Sequence, residues 1–279
     1  MDSLFIHFTH SATPGRKATM DFSLPALDTA TKYPSIPTYH VIGERGMLGE
    51  DTNVVFEAGE DVYLTEKVDG TNCRIVVLPG GGDFLIGTRD LFLYAQGDRV
   101  PNQVPVNLEI LRTLMEPAAA AADAWTGKAI LVVFCEVYGA AGIARGWADY
   151  TGTKTGAGAR MFDTATVDPA VLGWELDRIA GWRERGGQGF APACFNPIAQ
   201  FGLEPVPHVK IAEGHTIPTG REAAEAWMEA LLPGTLAGLG DGGTGNAEGI
   251  VARTADRSKI VKLRKAEYAK TRRQLANRR

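Results

Sequence analysis

The chain has 279 residues, 44% hydrophobic and 22% charged, enough for one large domain or two small ones with a sizeable core. No run approaches the roughly eighteen apolar residues of a membrane span; the longest, Ala129 to Cys135, stops at Glu136, so a transmembrane helix is excluded. The net charge of -4 conceals an asymmetry: between Arg253 and Arg279 eleven basic side chains face only Asp256 and Glu267, leaving that segment at +9 and the rest near -13. Such segregation suits either an anion site for phosphates or a solvated basic helix. No basic and apolar leader opens the chain, and the three cysteines (Cys73, Cys135, Cys194) are odd in number and far apart. A reducing cytoplasm fits these features, whereas a disulfide scaffold or zinc ribbon does not.

Residues 1–30, rich in Ser, Thr, Pro and Gly and containing a second methionine, Met20, read as a loose arm. In Lys32-Tyr-Pro-Ser-Ile-Pro-Thr-Tyr39, Pro34 and Pro37 hold the chain extended. Asp61 to Thr65 and Asn72 to Leu78 read as strands flanking Glu66-Lys-Val-Asp-Gly-Thr71, and after the turn Pro79 to Asp83 the segment Phe84 to Thr88 returns as an antiparallel hairpin partner. A helix is expected from Val106 to Trp125, with Pro117 as a breaking point, followed by a central strand from Ala129 to Tyr138 buried on both faces. Asp168-Pro169 has the N-cap and first-turn proline of a helix running to Arg185, and Thr219 to Leu232 is a second amphipathic helix. Beyond the glycine-rich loop Gly234 to Asn246, Glu248 to Arg253 and Lys259 to Leu263 are short strands, and a last helix starts near Ala266. With no repeat or long linker, the simplest account is one α+β domain over residues 31–279.

Gly238-Leu-Gly-Asp-Gly-Gly243 satisfies G-x-G-x-x-G but has a strand after it instead of a helix, which argues against dinucleotide binding. No glycine run ends in Gly-Lys-Ser/Thr, and His7 and His10 have no acidic or cysteine neighbours to make a metal site. Glu136 is more informative, because a carboxylate inside an apolar strand needs a polar partner unless it sits at the strand's wet end. Lys67, where a strand turns through Asp69-Gly70, is by itself either a turn residue or a nucleophile.

The order of the short motifs decides more. Lys67-Val-Asp-Gly70 is followed by Gly87-Thr-Arg89, Phe134-Cys-Glu136-Val-Tyr-Gly139, Glu248-Gly-Ile-Val251 and Ile260-Val-Lys262-Leu-Arg264. From Lys32 to Tyr268 the chain resembles the covalent nucleotidyltransferase superfamily of polynucleotide ligases and mRNA capping enzymes. Glu66-Lys-Val-Asp-Gly-Thr-Asn72 is most similar to the phage-type RNA ligase 2 group. The resemblance implies the adenylation-domain fold of ATP-dependent ligases, antiparallel sheets flanked by helices, and an RNA ligase that uses ATP and Mg²⁺, or Mn²⁺, to join 3′-hydroxyl and 5′-phosphate ends of RNA.

By the same resemblance Lys67 would carry AMP. An attacking lysine must be neutral, and Lys262, Arg264 and the metal ion would favour that state while neutralising phosphate oxygens. Glu66 and Asn72 would lie near adenine and the reacting phosphate, Arg89 on the phosphate or ribose side, and Glu136 on the ribose. Glu248 would orient the metal, and Asp69 would shape the turn. Arg264 departs from the lysine usual in the last motif and is a poor proton donor. Phe162 is the best match for the aromatic that stacks on adenine, with core packing its alternative role. The few residues after Tyr268 imply no C-terminal accessory domain. A minimal DNA ligase or other polynucleotide adenylyltransferase, and a non-catalytic nucleic-acid-binding module, are the competing readings.

Overall fold

The computed structural model describes residues 5–7, 21–95, 105–151, 156–192, 201–240 and 243–277; His10, Met20, Cys194, Asp241, Gly242, Arg278 and Arg279 lie outside the described residues. In chain order these form β1 (Phe5–His7), β2 (Asp21–Ser23), α1 (Leu24–Thr31), β3 (His40–Ile42), β4 (Leu48–Thr52), β5 (Asp61–Lys67), β6 (Thr71–Val77), β7 (Phe84–Thr88) and β8 (Phe92–Ala95). Next come α2 (Pro105–Ala124), β9 (Ile130–Tyr138), α3 (Trp147–Tyr150), β10 (Gly158–Val167), α4 (Leu176–Glu184), β11 (Gly189–Phe190) and β12 (Glu204–Pro205). The chain closes with β13 (His208–Glu213), α5 (Arg221–Leu231), β14 (Gly249–Thr254), β15 (Ile260–Arg264) and α6 (Lys265–Ala276).

Two sheets carry the molecule. The larger runs β11-β10-β9-β6-β7-β8 with β12 beside β10, and the smaller runs β13-β5-β14-β15. Within them every pair is antiparallel except β10 with β12. The architecture is therefore α+β, as the sequence leads one to expect.

Period-two alternation sorts the side chains of β9 between two cores. Leu131, Val133, Cys135 and Val137 pack with Ile110, Leu114, Ala118 and Ala121 of α2. Ile130, Val132 and Phe134 point the other way, against Ala26, Leu27 and Ala30 of α1 and Ile179 of α4. Glu136 continues this second series and is only partly buried, because the strand has by then passed beyond the cover of α1. The smaller sheet does the same with one core: Val62, Leu64, Ile250, Ala252, Val261 and Leu263 meet Ala224 and Met228 of α5 and Tyr268 of α6. Its other face is left for Thr65, Lys67, Val251, Lys262 and Arg264.

Several expectations need correction. The loose arm does not extend to residue 30: Leu24–Thr31 is helical, opened by Ser23 Oγ accepting from Ala26 N–H and by Pro25 in its first turn, and it buries Ala26, Leu27 and Ala30. Phe5–His7 also pairs with Asp21–Ser23. Helix α2 continues through Pro117, since the buried alanines after it keep the helix packed on β6 and β7. Asp168 caps as expected, through Ala170 N–H at 2.9 Å, but it opens only a 3-10 turn, Pro169–Gly173, separated from α4 by extended residues Trp174 and Glu175. The ten-residue strand β10 lies where the sequence offers no clean alternation.

The proline-spaced segment after α1 joins the two sheets. Tyr33 to Ile36 border the larger sheet's open end, and then Lys262 N–H donates to Pro37 O and Tyr39 N–H to Lys262 O, both at 2.9 Å, along the outer edge of β15. Gly70, in the turn between β5 and β6, is forced by close packing: a Cβ there would stand 2.3 Å from Val137 O and 2.8 Å from Glu136 Cγ. Gly70→Ala is expected to cost roughly 1–3 kcal/mol of stability by overpacking, read as a lower urea midpoint at unchanged slope; a wild-type midpoint would show that the turn has room to spare.

Candidate active site

The open ends of the two sheets enclose a cleft of about 540 Å³. Its walls are the turn from Lys67 to Asn72, the tip Thr88–Asp90, Glu136, Phe162, the segment Tyr33–Ile36, and the exposed face of β5, β14 and β15. Of the nine residues singled out from the sequence, Glu66, Lys67, Asn72, Arg89, Glu136, Phe162, Lys262 and Arg264 border it. Glu248 reaches it through Lys67.

Lys67 ends β5 on a rung that runs Lys67–Gly249–Arg264 across three strands, with Thr65–Val251–Lys262 as the next rung inward. Three cations thus share one face of a small sheet. Lys67 Nζ donates to Glu248 Oε2 at 2.5 Å, and Arg264 Nη1 lies 3.9 Å from Glu248 Oε1. Arg264 is itself fixed by Glu267, whose Oε1 accepts from Nε at 2.9 Å, and this partner raises the guanidinium's proton affinity. Lys262 has no comparable acid among the described residues. Burial pulls its pKa down, and the neighbouring Arg264 and Lys67 pull it further. Of the other basic residues of the tail, Lys265 and Arg272 are spent elsewhere, pairing with Glu229 and Glu225 of α5 at 2.9 and 3.1 Å.

On the opposite wall Asn72 and Glu136 are cross-strand neighbours on β6 and β9. Burial pushes the Glu136 carboxyl up to about 8; Lys67 opposes the shift, while Glu248 and Asp69 add to it and Gly70 N–H partly offsets it. Glu248 is likewise raised by burial, with Lys67 opposing. Arg89 is held by its backbone, its N–H donating to Asn72 O at 2.8 Å, and its Nη2 lies 3.5 Å from Ser35 Oγ. Asp69 shapes the turn: its N–H donates to Tyr150 Oη at 2.8 Å, and its Oδ2 accepts from Gly146 N–H at 3.2 Å.

Glu66 borders the cleft, but its carboxylate is engaged behind it. Successive strand residues point to opposite faces, so with Lys67 facing the cleft the Glu66 carboxylate turns away from it, is 1% exposed, and accepts from Thr235 Oγ1 at 2.6 Å and Leu236 N–H at 2.7 Å. It pins the glycine-rich loop before Glu248.

Phe162 takes the packing role considered for it, at a place that also opens on the cleft. It borders the cleft, yet it also packs edge-on against Tyr33 at 5.0 Å and parallel to Phe134 at 6.3 Å. Beneath it is a charged joint the sequence reading did not find. Asp163, 3% exposed, accepts from Tyr33 Oη at 3.0 Å and Arg253 Nη1 at 2.9 Å, with Arg257 Nε at 3.3 Å. Arg257 takes φ +61° and lies over the Phe190 ring at 3.8 Å. The sequence offers no clear signal for this joint, because Asp163 lies in the one long strand whose alternation is broken.

A divalent cation fits the donor set in chemical type, because Glu248 and Glu136 offer hard oxygen ligands beside the cations. Among the described residues no three metal-ligating side chains converge, so such an ion would complete its shell from phosphate oxygens and water. Also among them, no helix is long and apolar enough to cross a membrane.

The raised Glu136 carboxyl has a consequence for stability. In the unfolded chain it ionises near 4.5, and in the folded protein near 8. Between those values the folded state holds the extra proton, so stability falls as pH rises through the window. Glu136→Gln removes this titration and is expected to gain melting temperature over wild type at pH 8 relative to pH 5; thermal melts showing a constant difference across that range would refute the assignment.

The RNA ligase family profile matches residues 60–266, which contain every strand of the cleft. Among solved structures, a point mutant of the Naegleria gruberi RNA ligase with ATP and Mn shares 14% identity over 87% of this chain and 62% of that one, at a TM-score of 0.49. A second mutant of that enzyme with AMP and Mn shares 13% identity over 85% and 63%, at 0.47. The same ligase with pyrophosphate shares 14% over 78% and 53%, at 0.47. This chain thus spans 53–63% of the length of those three. No curated protein matches it. The profile match runs over most of the chain, from the strand that carries Lys67 through the one that carries Lys262 and Arg264, and the protein belongs to the RNA ligase family.

Proposed function

We propose that this protein is an ATP-dependent RNA ligase that joins 3′-hydroxyl and 5′-phosphate ends through a lysyl-AMP intermediate on Lys67, within an adenylation unit that takes in helix α1 and runs on through α6. The observation that carries the reading is the pair of adjacent rungs Lys67–Gly249–Arg264 and Thr65–Val251–Lys262, which bring a lysine amine, with the Glu248 carboxylate at 2.5 Å, and two further cations to one end of an enclosed cleft. A structural role alone does not call for three cations on one small face. The family membership supports ligation of RNA, and the ATP, AMP and pyrophosphate named with the Naegleria structures suggest the nucleotide.

In this reading Lys67 Nζ gives up a proton, for which Glu248 Oε2 is the adjacent acceptor, and attacks the α-phosphorus of ATP. A nitrogen–phosphorus bond forms, the bond to the β-phosphate oxygen breaks, and pyrophosphate leaves. Lys262 and Arg264 neutralise the phosphate oxygens, and Lys262, with its depressed pKa, is the better placed of the two to lend a proton to the leaving group. A bound Mg²⁺ or Mn²⁺ would supply further charge neutralisation at the phosphates. Asn72 and Arg89 bind the phosphate side, Glu136 the ribose, and Phe162 presents its ring to the base. The adenylate then passes to a 5′-phosphate oxygen of RNA, releasing Lys67. A 3′-hydroxyl displaces AMP to close the strand.

Incubation with ATP labelled at the α-phosphate and Mg²⁺, followed by denaturing electrophoresis, should give protein-bound label on wild type and at least a hundredfold less, roughly the loss expected on removing a covalent nucleophile, on Lys67→Ala. Sealing of a nicked substrate should then require the 2′-hydroxyl at the acceptor end. A folded, adenylate-free wild type that takes no label with any nucleotide would overturn the mechanism, and sealing indifferent to the 2′-hydroxyl would overturn the substrate.

A further inference from the structure

Arg74 has no part in the chemistry above, yet it is 1% exposed in an otherwise apolar face, where an unexplained guanidinium is expensive. It stands on β6 two residues beyond Asn72, on the same face, and cross-strand from Gly87 and Phe134. Its Nη2 is salt-bridged to Asp28 Oδ1 of α1, and the other oxygen of that carboxylate holds Lys32 at 2.8 Å. Its Nη1 donates to the backbone carbonyl of Arg89 at 3.2 Å. The guanidinium lies 4.6 Å from the centre of the Phe92 ring, while Nε has no hydrogen-bond partner among the described residues. Gly87 leaves the room for this arrangement, since a Cβ there would stand 3.0 Å from the Phe92 ring and 3.4 Å from Nε.

Arg89 is thereby gripped from both sides of its peptide units. Its N–H reaches Asn72 O and its carbonyl reaches Arg74, so the backbone that projects the Arg89 side chain along the cleft wall has little freedom to tilt. We propose that Arg74 is a positioning residue for Arg89: its fork fastens the β7–β8 tip to helix α1, so that Arg89 already stands where the incoming nucleotide requires it. The inference rests on the reading of the cleft as an ATP site. A lysine at this position keeps the charge beside Asp28 but lacks the second, rigidly spaced donor for the Arg89 carbonyl.

The test is a double-mutant cycle of Arg74→Met and Arg74→Lys, each made in wild type and in Arg89→Ala. ATP affinity is measured by calorimetry, the rate of protein labelling from α-labelled ATP by single turnover, and folding by melting temperature. In the wild-type background each Arg74 variant should weaken ATP binding by about tenfold, the scale for a group that orients a ligand-binding residue. In Arg89→Ala the same changes should cost less than about twofold, because the residue they act through is gone. Arg74→Lys carries the comparison should Arg74→Met fail to fold. Equal losses in both backgrounds, or wild-type affinity in a folded Arg74→Lys, would overturn the proposal. Wild type that binds ATP without taking label would refute the lysyl-AMP reading and leave this cycle intact; wild type that binds no ATP would refute both.

Discussion

Two sheets that each spend one face on a core have one face left, and in this protein the leftover faces meet. The larger sheet covers its second face with α1 and α4 only part of the way along β6 and β9, and where the cover stops, Asn72 and Glu136 replace the valines and phenylalanine of the same alternating series. The smaller sheet leaves its second face to Thr65, Lys67, Lys262 and Arg264. Parity along the strand, more than any single contact, determines which side chains reach the cleft. It also concentrates charge: an anion entering there would relieve repulsion among Lys67, Lys262 and Arg264 that Glu248 and Glu267 offset only in part.

Six of the strands around the cleft (β5, β6, β7, β9, β14 and β15), and the placing of Lys67, Asn72, Arg89, Glu136, Lys262 and Arg264 together, could be read from the sequence, because short motifs at strand ends carry both a local conformation and a chemistry. What could not be read has identifiable physical causes. Strand β10 mixes Gly158, Arg160 and Asp163 with apolar residues and bulges between Met161 and Asp163, so its alternation is broken where it matters. Helix α1 is short, and its burial depends on α4, which lies about 150 residues later. Glu66 is different, since parity alone assigns its side chain to the face opposite Lys67, a constraint already available from the spacing.

The charged joint under Phe162 connects the two sheets by means other than apolar packing. Asp163 belongs to the larger sheet and Arg253 to the smaller, and removing one member of so buried a pair would leave a charge uncompensated, a loss of about 3–5 kcal/mol in comparable settings. Tyr33 adds the segment after α1 to the same joint through its hydroxyl. Burial holds the Asp163 carboxyl above the usual range, but Arg253 and Arg257 both oppose this. The floor of the cleft is thus a fixed point to which three separate parts of the chain are tied.

Strand β15 is the last in its sheet, and an unpaired strand edge is an invitation to intermolecular pairing. Here the stretch around Pro37 to Tyr39 lies along it and takes up both the N–H and the carbonyl of Lys262. A further strand would be poorly accommodated on the far side of that stretch, because Pro34 and Pro37 have no N–H to offer. The segment that helps enclose the cleft therefore also acts as a guard against aggregation, shielding the strand that bears Lys262 and Arg264 from being recruited into another chain's sheet.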